Sequence, residues 1–106
     1  RASAGALEHV PVARVVNITR AVDQMKDAGL WVVGLDAGAE KEYTAASLAG
    51  PTAIVVGAEG KGLPRLVRER CDELVSVPLK GRLASLNASV AAAVVLYEAV
   101  RQRAGR

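Results

Sequence analysis

The chain has 106 residues, with 14 Lys and Arg against 11 Asp and Glu, a net charge of +3 and a pI near 9.4; it is one domain at most, near the lower size limit for a self-sufficient core. Hydrophobic residues make up 51% but aromatics only 3%, with no Phe, so Val, Leu, Ile and Ala must fill that core, and the basic balance permits a nucleic-acid partner without indicating one. A single Cys71 and a single His9 exclude an intramolecular disulfide and a Cys/His zinc cluster, so no metal is expected and a reducing cytoplasmic setting is the default.

Taken in chain order, residues Ser3 to His9 read as a short helix and Val12 to Val16 as a short strand after Pro11. Arg1 in place of Met predicts a further segment upstream. Asn17 or Thr19 can cap a helix over Thr19–Ala28, in which Ile18, Val22 and Met25 recur at helical spacing and Gly29 supplies the stop. Leu30 to Leu35 is a continuous apolar run of strand length, the kind that lies inside a parallel sheet covered on both faces. Trp31 falls in that run and reads as core. Asp36–Glu42 is polar and contains glycine, hence a loop. Ala53–Val56 predicts the next buried strand, ending at Gly57.

Pro64 suits the first position of a helix reaching about Arg70, with Leu63, Leu66 and Val67 facing inward and Cys71 buried beside Val67. Leu74–Val77 is the last strand, stopped by Pro78. The last helix runs from Leu86 to about Arg103, carries no charge before Glu98, and is apolar on nearly all sides. Burial against a second copy of the chain is the expected outcome, with Val90, Val94, Val95 and Tyr97 in a symmetric homodimer interface. Leu83–Tyr97 is the apolar candidate that no charge interrupts, and it falls short of the roughly 20 apolar residues needed to span a bilayer, so no membrane association is expected. No signal peptide is visible.

Two strands run straight into Gly-containing polar loops, which is how an α/β protein builds a ligand pocket at the carboxyl ends of its strands. Gly57 and Gly62 have the spacing of a phosphate-binding P-loop. The next residues would have to be Lys and then Ser or Thr, yet they are Leu63 and Pro64, and Lys61 precedes the second glycine. The pattern therefore argues against a nucleotide triphosphatase. A dinucleotide fingerprint is absent too, since Gly60 and Gly62 lead to Arg65.

The run Thr52 to Leu63, followed by Val77-Pro78-Leu79-Lys80-Gly81 and then Ser85-Leu86-Asn87-Ala88-Ser89, resembles the second and third motifs of the SpoU/TrmH-type RNA 2′-O-ribose methyltransferases of the SPOUT superfamily. The resemblance covers roughly the whole chain, which would be a partial SpoU-type methyltransferase domain spanning 1–106. It implies an α/β knot, a deep trefoil in a mostly parallel sheet flanked by helices, formed from the segments around residues 57–62 and 78–87. It also implies S-adenosylmethionine as cofactor, held largely by backbone at Gly57, Val77 and Leu86 with Gly60 and Leu79 nearby, because glycine permits close approach. Glu59, Ser85 and Asn87 take the places of the family's polar catalytic cluster, although Ser85 and Asn87 are also ordinary helix N-caps and Glu59 could simply cap the helix after its loop.

Ser89 matches the motif in a structural role. Lys80 and Arg82, in the loop leading to Ser85, are the better RNA-contacting candidates, with Lys61 and Arg65 beside them. Lys61, Arg65, Arg68 and Arg70 can form a phosphate-contacting edge, although a solvated helix face is the commoner explanation. His9 reads as a surface residue. The family's first motif, Asn-x-Gly-x-x-x-Arg with the arginine that activates the hydroxyl, has no counterpart between Arg1 and Arg106, and Asn17-Ile-Thr-Arg20 is a helix start rather than its replacement. Two functions follow: RNA ribose methylation, with this segment inactive alone, or a non-catalytic RNA-binding or dimerisation module that keeps the pocket.

Overall fold

In the computed structural model, residues 17–57, 62–78 and 88–104 are described. The helix and strand expected over 3–9 and 12–16 fall outside them, as does His9. The first described helix, α1, is Ile18–Asp27, and Asn17 caps it by accepting a hydrogen bond from the Arg20 N–H at 3.0 Å. Its end is a Schellman turn: Leu30 N–H donates to the Met25 carbonyl and Gly29 N–H to the Lys26 carbonyl, both at 3.0 Å. Gly29 takes the φ of 91° that this turn requires.

Strand β1, Trp31–Leu35, is central in a parallel sheet of order β2-β1-β3, with β2 at Thr52–Val55 and β3 at Glu73–Val75. Val33 pairs with Ile54 on one side and Glu73 on the other. Helices cover both faces, as parallel strands demand. On one face Val32, Val55, Val22 of α1 and Val67 of α2, Arg65–Arg70, form an apolar cluster with Leu63. On the other, Val33, Leu35, Leu48 and Val75 pack with Val95 and Ala99 of α3, Ala88–Ala104.

Several expectations need correction. Trp31 is 42% exposed rather than core, since it opens the strand at the sheet's end, and its indole N–H donates to Glu73 Oε1 at 2.8 Å. β2 begins one residue earlier than expected and is buried only at Val55, because it is the outer strand of the described sheet. Pro64 caps α2 rather than entering it, and Leu66 is 51% exposed. Leu66 lies about 100° round the axis from Val67, and a helix this short buries one line of residues only. β3 starts at Glu73 and stops at Val75 because Ser76 turns its backbone outward to pair with Glu42.

α3 is not apolar all round in effect. Val95 is fully buried, so it belongs to the chain's own core rather than to a dimer interface, whereas Val90, Tyr97 and Val100 are exposed, Tyr97 at 79%. Cys71 is half-buried against the Val67 cluster, and burial first, then the Asp72 charge, push its thiol up from the usual range against the opposing pull of Lys26.

Candidate functional site

All three strands are parallel, so their carboxyl ends meet at one edge. β1 delivers Asp36 there, β2 delivers Gly57, and β3 delivers Ser76 and Val77. The chain goes from β1 to one neighbour and then to the other, placing the Gly57 and Val77 loops one strand spacing, about 4.8 Å, to either side of Asp36. This is the topological switch point at which open parallel sheets bind ligands.

The Gly57 loop is shaped by backbone. A Cβ on Gly57 would lie 2.1 Å from the Gly62 carbonyl oxygen, 2.3 Å from its carbon and 2.9 Å from the Leu63 nitrogen. No side chain fits there. Gly62 itself has φ 69°, the left-handed conformation that glycine adopts without penalty. Beyond it, Leu63 anchors the turn in the α1/α2 core at 8% exposure. Gly34 on β1 allows this approach, since a Cβ there would meet Cys71 Sγ at 2.7 Å and Leu63 Cδ1 at 2.8 Å. Val77, half-buried, packs on the opposite core beneath α3.

Of the residues expected at the site, Gly57 and Val77 are thus brought to the same edge. Glu59, Gly60, Lys61, Leu79, Lys80, Arg82, Ser85, Leu86 and Asn87 lie outside the described residues, and Ser89 falls in the first turn of α3. Arg65 projects from α2 with a side chain 71% exposed, paired with Glu69 at 2.9 Å on its own helix. Such an exposed pair is worth about 0.5 kcal/mol or less, so it does not withhold Arg65 from a phosphate. Arg70 meets Asp23 at 2.8 Å and Arg68 meets Asp36 at 3.7 Å, so those two serve to tie α2 to α1 and to the end of β1.

Asp36 is the edge residue that sequence reasoning missed. Its Oδ1 accepts from the Gly38 N–H at 3.1 Å, and its own N–H donates to the Val75 carbonyl at 2.9 Å. An acid directly after an apolar parallel strand was the available signal. Glu73 was missed as well. It is 8% exposed, and although burial acts to raise its carboxyl, hydrogen bonds from Lys41, Trp31 and the Ser47 N–H hold it below the usual range. Among the described residues no group of His, Cys, Asp and Glu could hold a metal ion, and no helix is long and apolar enough to cross a membrane.

What the edge can do chemically is bind a small ligand by backbone, with few charges of its own. Residues 1–97 match the SpoU rRNA Methylase family. YacO of Bacillus subtilis (strain 168), named as a TrmH family tRNA/rRNA methyltransferase, is 50% identical over 103 residues, 97% of this chain and 41% of that protein. A solved RNA 2′-O ribose methyltransferase superposes with a TM-score of 0.74 at 41% identity, across 80% of this chain and 33% of its own. AviRb from Streptomyces viridochromogenes, a SpoU methyltransferase solved in complex with the cofactor AdoMet, gives a TM-score of 0.70 at 36% identity, across 84% of this chain and 36% of its own. The chain spans well under half the length of these relatives.

Proposed function

The chain belongs to the SpoU rRNA methylase family, and on that premise we propose that it forms the cofactor-binding part of an S-adenosylmethionine-dependent RNA ribose 2′-O-methyltransferase. The observation that carries the proposal is the Gly57 turn, closed on the Gly62 backbone so tightly that no side chain fits, at the edge it shares with Val77. Such a cradle suits a ligand held by main-chain groups. Gly57, Gly60, Val77, Leu79 and Leu86 would hold adenosylmethionine, which when bound supplies an electrophilic methyl group on a sulfonium.

A ribose hydroxyl is a weak nucleophile at neutral pH, so the protein's share is alignment and proton removal. Glu59, Ser85 and Asn87 would orient the ribose, with the activating arginine coming from an upstream segment. Lys61, Arg65, Lys80 and Arg82 would contact RNA phosphates, ribosomal or transfer. The segments around 57–62 and 78–87 would form the trefoil knot of the fold, in a cytoplasmic enzyme. Val90, Tyr97 and Val100, exposed on α3, would pack against a second copy.

Tritium transfer from labelled adenosylmethionine to ribose, in a parent protein that carries this segment, tests the reading. Asn87→Ala and Glu59→Ala should each lower the rate about 10²-fold or more, the usual loss for a positioned polar group, with little change in stability. RNA binding without any transfer by the unsubstituted parent would favour the non-catalytic module instead.

A further inference from the structure

Ser76 directly precedes Val77, and its backbone faces away from β1: its N–H donates to the Lys41 carbonyl and its carbonyl accepts from the Tyr43 N–H, both at 2.9 Å. Val75, one residue earlier, turns its carbonyl the other way, to the Asp36 N–H. Backbone groups alternate sides along a strand. The segment from Asp36 to Lys41 therefore crosses the carboxyl end of β3 and is fastened on both sides of it, just where the chain leaves for Val77.

A second fastening lies at the start of β3. Lys41 Nζ reaches Glu73 Oε2 at 2.6 Å, while Glu73 Oε1 accepts from the Trp31 indole N–H at 2.8 Å and the Ser47 N–H at 3.2 Å. One buried carboxylate thus joins β1, β3 and both ends of the segment 41–47. Lys41 is half-exposed but Glu73 is not, so loss of the lysine leaves a buried charge without its partner.

We propose that Lys41 and Glu73 are positioning residues for the cofactor site, holding Lys41–Tyr43 against Ser76 and so setting the backbone of Val77. The proposal rests on the reading of Val77 as a cofactor-binding residue. A role confined to stability would lower the unfolding midpoint and leave the affinity of the folded protein unchanged.

The test is calorimetric titration of the chain with adenosylmethionine, well below the unfolding midpoint, for Lys41→Met, Glu73→Gln, the double variant and Lys41→Arg. Each single change should weaken binding about tenfold, the double should be no weaker than either single because the two act as one unit, and Lys41→Arg should restore most of the affinity. Unchanged affinity in folded Lys41→Met, or independent multiplying losses in the double, would overturn the inference while leaving the proposed function standing. Failure of the unsubstituted chain to bind would overturn both. If Glu73→Gln does not fold, the contrast between Lys41→Met and Lys41→Arg decides alone.

Discussion

The two faces of the sheet are held by different means. On the α1/α2 face, contacts are mainly apolar and steric: Val22, Val32, Val55, Leu63 and Val67 interlock, and Gly34 and Gly57 give up side chains so that neighbours can approach. Polar ties there are few, Lys26 donating to the Arg70 carbonyl and Asp72 accepting from the Val32 N–H, with ion pairs such as Arg70 to Asp23 exposed. On the α3 face, polar side chains reach across to backbone. Gln102 donates to the Ala46 carbonyl at 3.0 Å and accepts from the Leu48 N–H at 3.0 Å, and Arg103 donates to the carbonyls of Leu48 and Gly50. Glu98, 5% exposed, is held in turn by Arg101 and Gln102. A helix with so little polar contrast has no strong rotational preference from its apolar residues alone, and these bonds fix which side it presents. The first face should therefore be the more sensitive to shape, and the second the more sensitive to acid.

The sharpest way to break that contrast is on the steric face. Gly57→Val puts a Cβ where the Gly62 carbonyl lies 2.1 Å away, so the backbone must move and the cradle with it. Adenosylmethionine affinity should fall at least about 100-fold, roughly 2.7 kcal/mol, by calorimetry on the folded variant. Wild-type affinity there would remove the Gly57 turn from the site.

On the polar face, Gln102→Ala strips the Leu48 N–H of its partner and frees the Ala46 carbonyl. Leaving such groups unsatisfied costs about 1–3 kcal/mol, and urea unfolding should show a loss of about 2 kcal/mol. A loss below about 0.5 kcal/mol would mean that apolar packing alone orients α3.

The smallest effect separates the faces by pH. Hydrogen bonds from Arg101 and Gln102, opposed by burial and aided by the Arg101 charge, lower the Glu98 carboxyl from 4.5 to about 2. A carboxyl with a depressed folded value stabilises above its unfolded value and loses that contribution as pH falls through the folded one. The unfolding midpoint should decline between about pH 4.5 and 2, and decline less in Glu98→Gln. Glu73, also depressed, keeps a residual slope in that variant. Equal slopes in both proteins would assign the acid sensitivity elsewhere.

What the sequence alone determined was local. The Asn17 cap, the Gly29 stop, the apolar run of β1, the turn at Gly57 and the alternation of strand and helix each depend on residues within a few positions, and short-range sterics and hydrogen bonding settle them. The family, too, was legible in the motifs around Gly57 and Val77. What only the tertiary structure decided was the destination of residues whose partners are remote. Glu73 is buried because Lys41, Trp31 and Ser47 arrive from 26 to 42 positions away. Gln102 meets Ala46 across 56, and Val95 turns inward while Tyr97 turns out. Leu66 and Trp31 look equally apolar in sequence and are exposed because one sits off the single buried line of a short helix and the other at the open end of a strand. Burial is a property of the assembled layers, and for these residues neither spacing nor hydropathy along the chain carries it.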